Sequence, residues 1–167
     1  MNNMAKKYNL AIKGAGPAGL LAAREAARRG ESVIVFEEDR EIGIPEKCGG
    51  LISLNGLIEM KVSPISKIIN KQVETGQVVF AEGKKFEFDL SESNLIILDR
   101  EEFDKQLAAE AVKAGSEVKI GTRIEAYNES NDGVSLKTSR DEYKSDLLID
   151  ASGVVGYDNK EGLMPAT

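Results

Sequence analysis

Residues 8–36, YNLAIKGAGPAGLLAAREAARRGESVIVF, decide the fold. Tyr8 to Lys13 reads as a short strand running straight into Gly14-Ala15-Gly16-Pro17-Ala18-Gly19. A helix follows from Pro17 to about Arg29. Proline suits a first helical turn, where its missing N–H costs nothing, and Gly30 supplies the stop. Ala18, Ala22 and Ala26 lie four apart and give this helix one small-residue face. Ser32 to Phe36 is a continuous apolar run, as in a strand covered on both faces. Strand, G-x-G-x-x-G turn, helix and second strand in this order predict a βαβ unit that holds a dinucleotide. Gly14 permits the tight turn, Gly16 lets the backbone approach a pyrophosphate, and Gly19 lets helix and strand pack closely. The helix N-terminus then presents free N–H groups and a partial positive charge to the anion. It is this context, not the bare motif, that sets the stretch apart from a glycine-rich turn without a ligand.

Glu37 ends the second strand, 18 positions after Gly19. An acid near this offset accepts hydrogen bonds from ribose hydroxyls and disfavours a 2′-phosphate, which argues against NADP. Glu38, Asp39 and Glu41 read as a solvated charge run. The fingerprint by itself does not separate FAD from NAD.

Further along, Glu37 to Gly50 is loop-like, and residues 53–59 suggest a short helix. Gln77–Phe80 and Lys85–Leu90 alternate as a hairpin around Ala81-Glu82-Gly83, and Leu95–Leu98 is a short strand. Asp99 to Ala114 is a helix, with Phe103, Leu107, Ala111 and Ala114 at helical spacing. Asp99 is its N-cap, Glu102 completes a capping box, and Gly115 stops it. Glu117–Ile120 is a strand. Ile124–Asn128, Val134–Thr138 and Glu142–Ser145 form an antiparallel meander with a turn at Asn131-Asp132-Gly133. Leu147–Asp150 is a last buried strand, ending at Ala151-Ser152-Gly153. Residues 154–167 show no strong pattern. The predicted fold class is α/β: a parallel sheet from 8–13, 32–36, 117–120 and 147–150 with a β-meander attached.

Composition sets the bounds. A chain of 167 residues, 41% hydrophobic and 30% charged, buries one core. Residues 1–167 are therefore expected to form a single domain. The net charge of −6 argues against nucleic acid as a partner. No apolar run approaches the ~20 residues of a membrane span, and no secretory signal is read at the N-terminus. One cysteine forms no internal disulfide, which fits a cytoplasmic location. The chain has no histidine, which removes histidine-based triads and the usual zinc sites; no metal is expected.

Four segments in order resemble the geranylgeranyl reductase family of FAD enzymes. They are Gly14–Gly19 with Glu37; Gly43-Ile44-Pro45-Glu46-Lys47-Cys48-Gly49-Gly50, similar to that family's G-x-P-x-x-C-G segment; Arg100-Glu101-Glu102-Phe103-Asp104, similar to its R-x-x-F-D helix; and Leu147–Gly153, similar to its second FAD segment. The ordered set is shared with a wider flavin group that includes aromatic hydroxylases, and the P-x-x-C-G element narrows it to the reductases. The resemblance implies a Rossmann-type FAD-binding domain with a glutathione-reductase-like parallel sheet. It implies that Gly14, Gly16, Ala18 and Gly19 cradle the pyrophosphate and that Glu37 holds the adenosine ribose. Cys48, Gly49 and Gly50 would lie on the flavin side, with Cys48 as the catalytic candidate for proton delivery. A lone cysteine is otherwise a small buried hydrophobe. Arg100 would reach the cofactor, against the alternative of a surface ion pair. Ile124 would touch adenine through its backbone, and Asp150 and Gly153 would close the second FAD contact.

The activity implied is FAD-dependent hydrogenation of isoprenoid double bonds in lipids, with a separate electron donor and a peripheral membrane contact in the full enzyme. Two departures stand out. Lys13 occupies a strand position where an apolar residue is commoner. The family's third FAD segment and the sheet walling the lipid pocket are missing, so the chain is expected to lack the substrate domain and to be the N-terminal part of a longer enzyme. The rival readings are a flavin monooxygenase or other flavin dehydrogenase, and a non-catalytic FAD-binding fragment.

Overall fold

A computed structural model describes residues 7–46 and 48–153; Lys47 and the patternless tail at 154–167 lie outside the described residues. The described residues divide into two compact units, one made of residues 7–44 and 104–153, the other lying within 45–103.

The first unit is a six-stranded sheet. Its strands are β1 (Lys7–Lys13), β2 (Val33–Phe36), β8 (Glu117–Lys119), β9 (Ile124–Ser130), β10 (Gly133–Thr138) and β11 (Glu142–Asp150), in the order β8-β2-β1-β11-β10-β9. The first four in that order pair in parallel and the rest antiparallel. This is the expected parallel sheet with its meander attached. Two details differ: the meander's third strand and the strand read at 147–150 are a single strand, β11, and that stretch is not buried, with Leu147 66% and Ile149 40% exposed. No glycine or proline interrupts 142–150, so nothing turns the chain there. β11 pairs in parallel with β1 along most of its length and antiparallel with β10 over Glu142–Ser145. All four residues of β2 are buried, the pattern of a central parallel strand.

Helix α1 (Pro17–Arg28) follows β1. Its buried stripe is Gly19, Leu20, Ala23, Arg24 and Ala27. The small-residue face is thus one position on from Ala18, Ala22 and Ala26; Ala18 is exposed. Buried Arg24 pairs with Glu110 at 2.7 Å and Glu25 at 3.0 Å, so its charge is not left uncompensated. A mixed cluster of Tyr8, Ala11, Ile34, Phe36, Ile124, Val134, Leu136 and Tyr143 forms a core of the sheet.

The second unit holds β3 (Leu51–Ser53), α2 (Leu54–Glu59), β4 (Ile69–Val73), the hairpin β5 (Thr75–Val79) and β6 (Lys85–Asp89), and β7 (Leu95–Leu98). β3, β7 and β4 make a three-stranded antiparallel sheet, and the hairpin stands as a two-stranded one. Helix α3 (Arg100–Ala114) begins in this unit, the division falling after Phe103. Asp99 caps it as the sequence predicts, accepting from the Glu102 amide at 3.0 Å. The capping box does not close: the Asp99 amide donates to the Ile68 carbonyl, and the Glu102 carboxylate pairs with Lys67.

Candidate dinucleotide-binding site

The glycine turn is built by steric exclusion. Gly14 has φ of +100°, and a Cβ there would lie 2.6 Å from the Ala151 carbonyl oxygen. A Cβ on Gly19 would lie 2.1 Å from the Gly14 carbonyl oxygen. The first glycine therefore brings the turn against the loop after β11, and the third brings helix and turn into contact. Gly16 is different. Its backbone is extended, and a Cβ there would meet nothing within 4 Å. Packing within the chain does not require glycine at 16, and the space beside it is left open.

Gly16 is the N-cap of α1, and it supplies no side-chain cap. Pro17 occupies the first turn, which carries no acidic residue. The helix end thus keeps its amide donors and positive dipole for an anion. Ala18 is exposed at this end.

Glu37 is fixed by the chain on every side. Its Oε2 accepts from the Ala15 amide at 2.7 Å and its Oε1 from the Asp39 amide at 3.0 Å. Its own amide donates to the Lys119 carbonyl at 2.9 Å, and its carbonyl accepts from Thr122 at 2.7 Å. Each carboxylate oxygen keeps a further lone pair for a ribose hydroxyl. Sequence reasoning singled out Glu37 for a ribose and missed that it staples the glycine turn to the end of β2.

Lys13, the unusual strand-end residue, faces Asp150 in the β1–β11 register and pairs with it at 3.0 Å. Asp150 also accepts from the Ser152 amide at 3.0 Å and from the Ser152 hydroxyl. Burial pushes the Asp150 carboxyl up, but the Ser152 bonds and the Lys13 ammonium outweigh it and hold it below the ordinary 3.8. Gly153 follows, exposed, at φ of +72°. Ile124 opens β9 and its side chain is buried in the core. The structure brings together Gly14, Gly16, Gly19, Glu37 and, through the Gly14–Ala151 contact, the loop that Asp150 anchors.

The other four candidates belong to the second unit. Cys48 and Gly49 are exposed. Gly50 is buried at φ of +74°, and its carbonyl accepts from the Leu98 amide at 2.9 Å. Arg100 is the half-buried first residue of α3.

Fold and site together define a dinucleotide-binding domain of Rossmann type. The chain belongs to the FAD-binding domain family, whose sequence profile matches residues 7–164, and FAD is its cofactor. Digeranylgeranylglycerophospholipid reductase 3 of Methanosphaera stadtmanae is 32% identical over 94% of this chain and 40% of its own length. The digeranylgeranylglycerophospholipid reductase of Methanocella arvoryzae is 33% identical over 90% of this chain and 40% of its own. Among solved structures, a geranylgeranyl bacteriochlorophyll reductase-like protein from Thermoplasma acidophilum superimposes with a TM-score of 0.80. It is 27% identical, covering 89% of this chain and 40% of that one. Anhydrotetracycline hydroxylase from Streptomyces rimosus (TM-score 0.69, 18% identical, 86% of this chain and 31% of that one) shares the fold. The chain thus spans about 40% of the length of these reductases. Among the described residues no helix is long and apolar enough to cross a membrane.

Proposed function

We propose that the chain is the FAD-holding part of an oxidoreductase that hydrogenates isoprenoid double bonds of lipids, in the cytoplasm and at the membrane surface, with an external electron donor. The observation that carries the cofactor half of this reading is Gly16: an uncapped, acid-free helix start with open space where a side chain would stand, which supports a pyrophosphate there. The substrate half is supported by the reductases that this chain resembles.

FAD, when bound, supplies the hydride chemistry. The chain's own residues position it. The α1 N-terminus and the turn of Gly14, Gly16, Ala18 and Gly19 bind the pyrophosphate. Glu37 orients the ribose, the Ile124 backbone borders the adenine, and the loop of Asp150 and Gly153 closes the second contact. Cys48, backed by Gly49 and Gly50, holds a proton at Sγ on the flavin side, and Arg100 reaches the cofactor from the start of α3. Residues 1–167 act as one FAD/NAD(P)-binding domain of a longer enzyme. A feature of the second unit supports that last point. The hairpin leaves Val78, Phe80, Phe86 and Phe88 exposed, with the last two rings stacked at 6.2 Å. A two-stranded hairpin is marginal by itself and gains from a covering layer.

The test is reduction of a geranylgeranyl lipid, followed by mass spectrometry with FAD and a chemical reductant. The 167-residue chain is expected to bind FAD and show little turnover, while a version extended with the remaining length of a reductase turns over. Equal rates for the two would mean that the catalytic site is complete within 1–167 and would overturn the reading.

A further inference from the structure

β1 closes its buried stretch with a charge. Leu10, Ala11 and Ile12 are buried, and Lys13 follows them with its side chain only 24% exposed. A strand between two parallel neighbours is normally apolar to its end, so a lysine here needs a local reason. In the sheet register Lys13 stands between Phe36 of β2 and Asp150 of β11.

Two bonds tie this one residue to the end of β11 and the loop after it. Its Nζ reaches Asp150 Oδ2 at 3.0 Å, and its carbonyl accepts from the Ala151 amide at 2.8 Å. The other carboxylate oxygen, Asp150 Oδ1, accepts from the Ser152 amide at 3.0 Å and from the Ser152 hydroxyl. Asp150 thus gives one oxygen to β1 and uses the other to shape the loop. The Lys13 ammonium fixes the angle at which Oδ1 meets Ser152, because turning the carboxylate breaks both sets of bonds. The same loop is fitted to the glycine turn: the Ala151 carbonyl oxygen would lie 2.6 Å from a Cβ on Gly14.

The sheet order gives the loop its place. β1 lies between β2 and β11, so the turn after β1 has Glu37 on one side and residues 151–153 on the other. A dinucleotide with its pyrophosphate on the turn and one ribose at Glu37 leaves its other half on the β11 side. That half is the part FAD has and ADP lacks.

We propose that Lys13 is a positioning residue for the cofactor: acting through Asp150, it holds Ser152 and Gly153 in the conformation that receives the flavin-bearing half of FAD. This rests on the FAD reading above and adds to it a residue that the glycine fingerprint does not include.

Isothermal titration of the whole chain with FAD and with ADP tests it, on the parent, Lys13→Met, Asp150→Asn and the double variant, with circular dichroism recorded for each. Lys13→Met keeps the length of the side chain and removes its charge. It is expected to weaken FAD about 2- to 5-fold, the range of a partly exposed ion pair, and to leave ADP at the parental affinity. Asp150→Asn should likewise weaken FAD more than ADP, and adding Lys13→Met to it should cost nothing further, because the lysine acts through that carboxylate. Parental FAD affinity in folded Lys13→Met overturns the proposal. Equal weakening of FAD and ADP also overturns it, since the pair would then only support the fold. Full additivity of the two substitutions overturns it as well. A parent chain that binds neither FAD nor ADP sinks the FAD reading itself and this proposal with it, a result distinct from the other three.

Discussion

Replacing Glu37 by alanine separates two roles that one carboxylate plays. Its oxygens accept from the Ala15 amide at 2.7 Å and the Asp39 amide at 3.0 Å. Ala15 is only 3% exposed, so water replaces that bond poorly; the Asp39 loop is more open and rehydrates. A hydrogen bond to a charged group contributes about 1.5–3 kcal/mol. The Ala15 bond therefore dominates, and the apo-protein should lose about 2–3 kcal/mol. For a chain of this size that lowers Tm by about 4–12 °C. The second role is toward the nucleotide. Loss of one or two charge-assisted bonds to ribose hydroxyls, on the order of 1.5–3 kcal/mol, weakens ADP about 10- to 150-fold. Calorimetric melting without ligand reads the first effect, and ADP titration well below the variant's Tm reads the second. A lowered Tm with parent-like ADP affinity would show that Glu37 only staples the loops. If both quantities stay at the parental values, the hydrogen-bond reasoning itself fails.

The glycine turn predicts opposite outcomes at two positions. Gly16→Val adds a side chain where no protein atom lies within 4 Å, so circular dichroism should be unchanged while flavin content falls to nothing; full flavin retention would remove the pyrophosphate from this turn. Gly19→Ala puts a Cβ 2.1 Å from the Gly14 carbonyl oxygen and should cost about 1–3 kcal/mol or more in urea unfolding. The pH dependence follows from Asp150, together with Asp89 and Asp146, all held below the ordinary 3.8 in the folded chain. Their stabilisation is fully present above the ordinary value and is lost as pH falls through the lower folded values. Asp150→Asn should accordingly be less stable than the parent at pH 7, with the gap closing as pH falls below the ordinary 3.8 and through the lower folded value; a constant gap across that range would mean that the carboxylate's charge does not matter.

The parts of this molecule legible in its sequence are those written within short spans. The βαβ start is local: strand, glycine turn, proline at the helix start and a fully apolar second strand follow one another, and each imposes its conformation on its own neighbours. Asp99 capping α3 is equally local, three residues from its partner. The failures follow where partners are remote or patterns are degenerate. Alanine or glycine fills both 18/22/26 and 19/23/27 in α1, so composition could not say which row turns inward; the larger Leu20, next to the second row, decides it. β4 carries Asn70, Lys71 and Gln72 in its middle, exposed, and shows no alternation to read. β11 looks like two strands because its neighbours differ, and neighbours are a property of the sheet. The same distinction divides the site. Gly14, Gly16, Gly19 and Glu37 are legible because the dinucleotide fingerprint is glycine at fixed intervals in a strand–helix turn with an acid at the next strand's end. Lys13 with Asp150 is a pair 137 residues apart, joined only once the β1–β11 register exists. The glycine turn is therefore sequence-local, whereas the part of the site joined across β1 and β11 is assembled by topology.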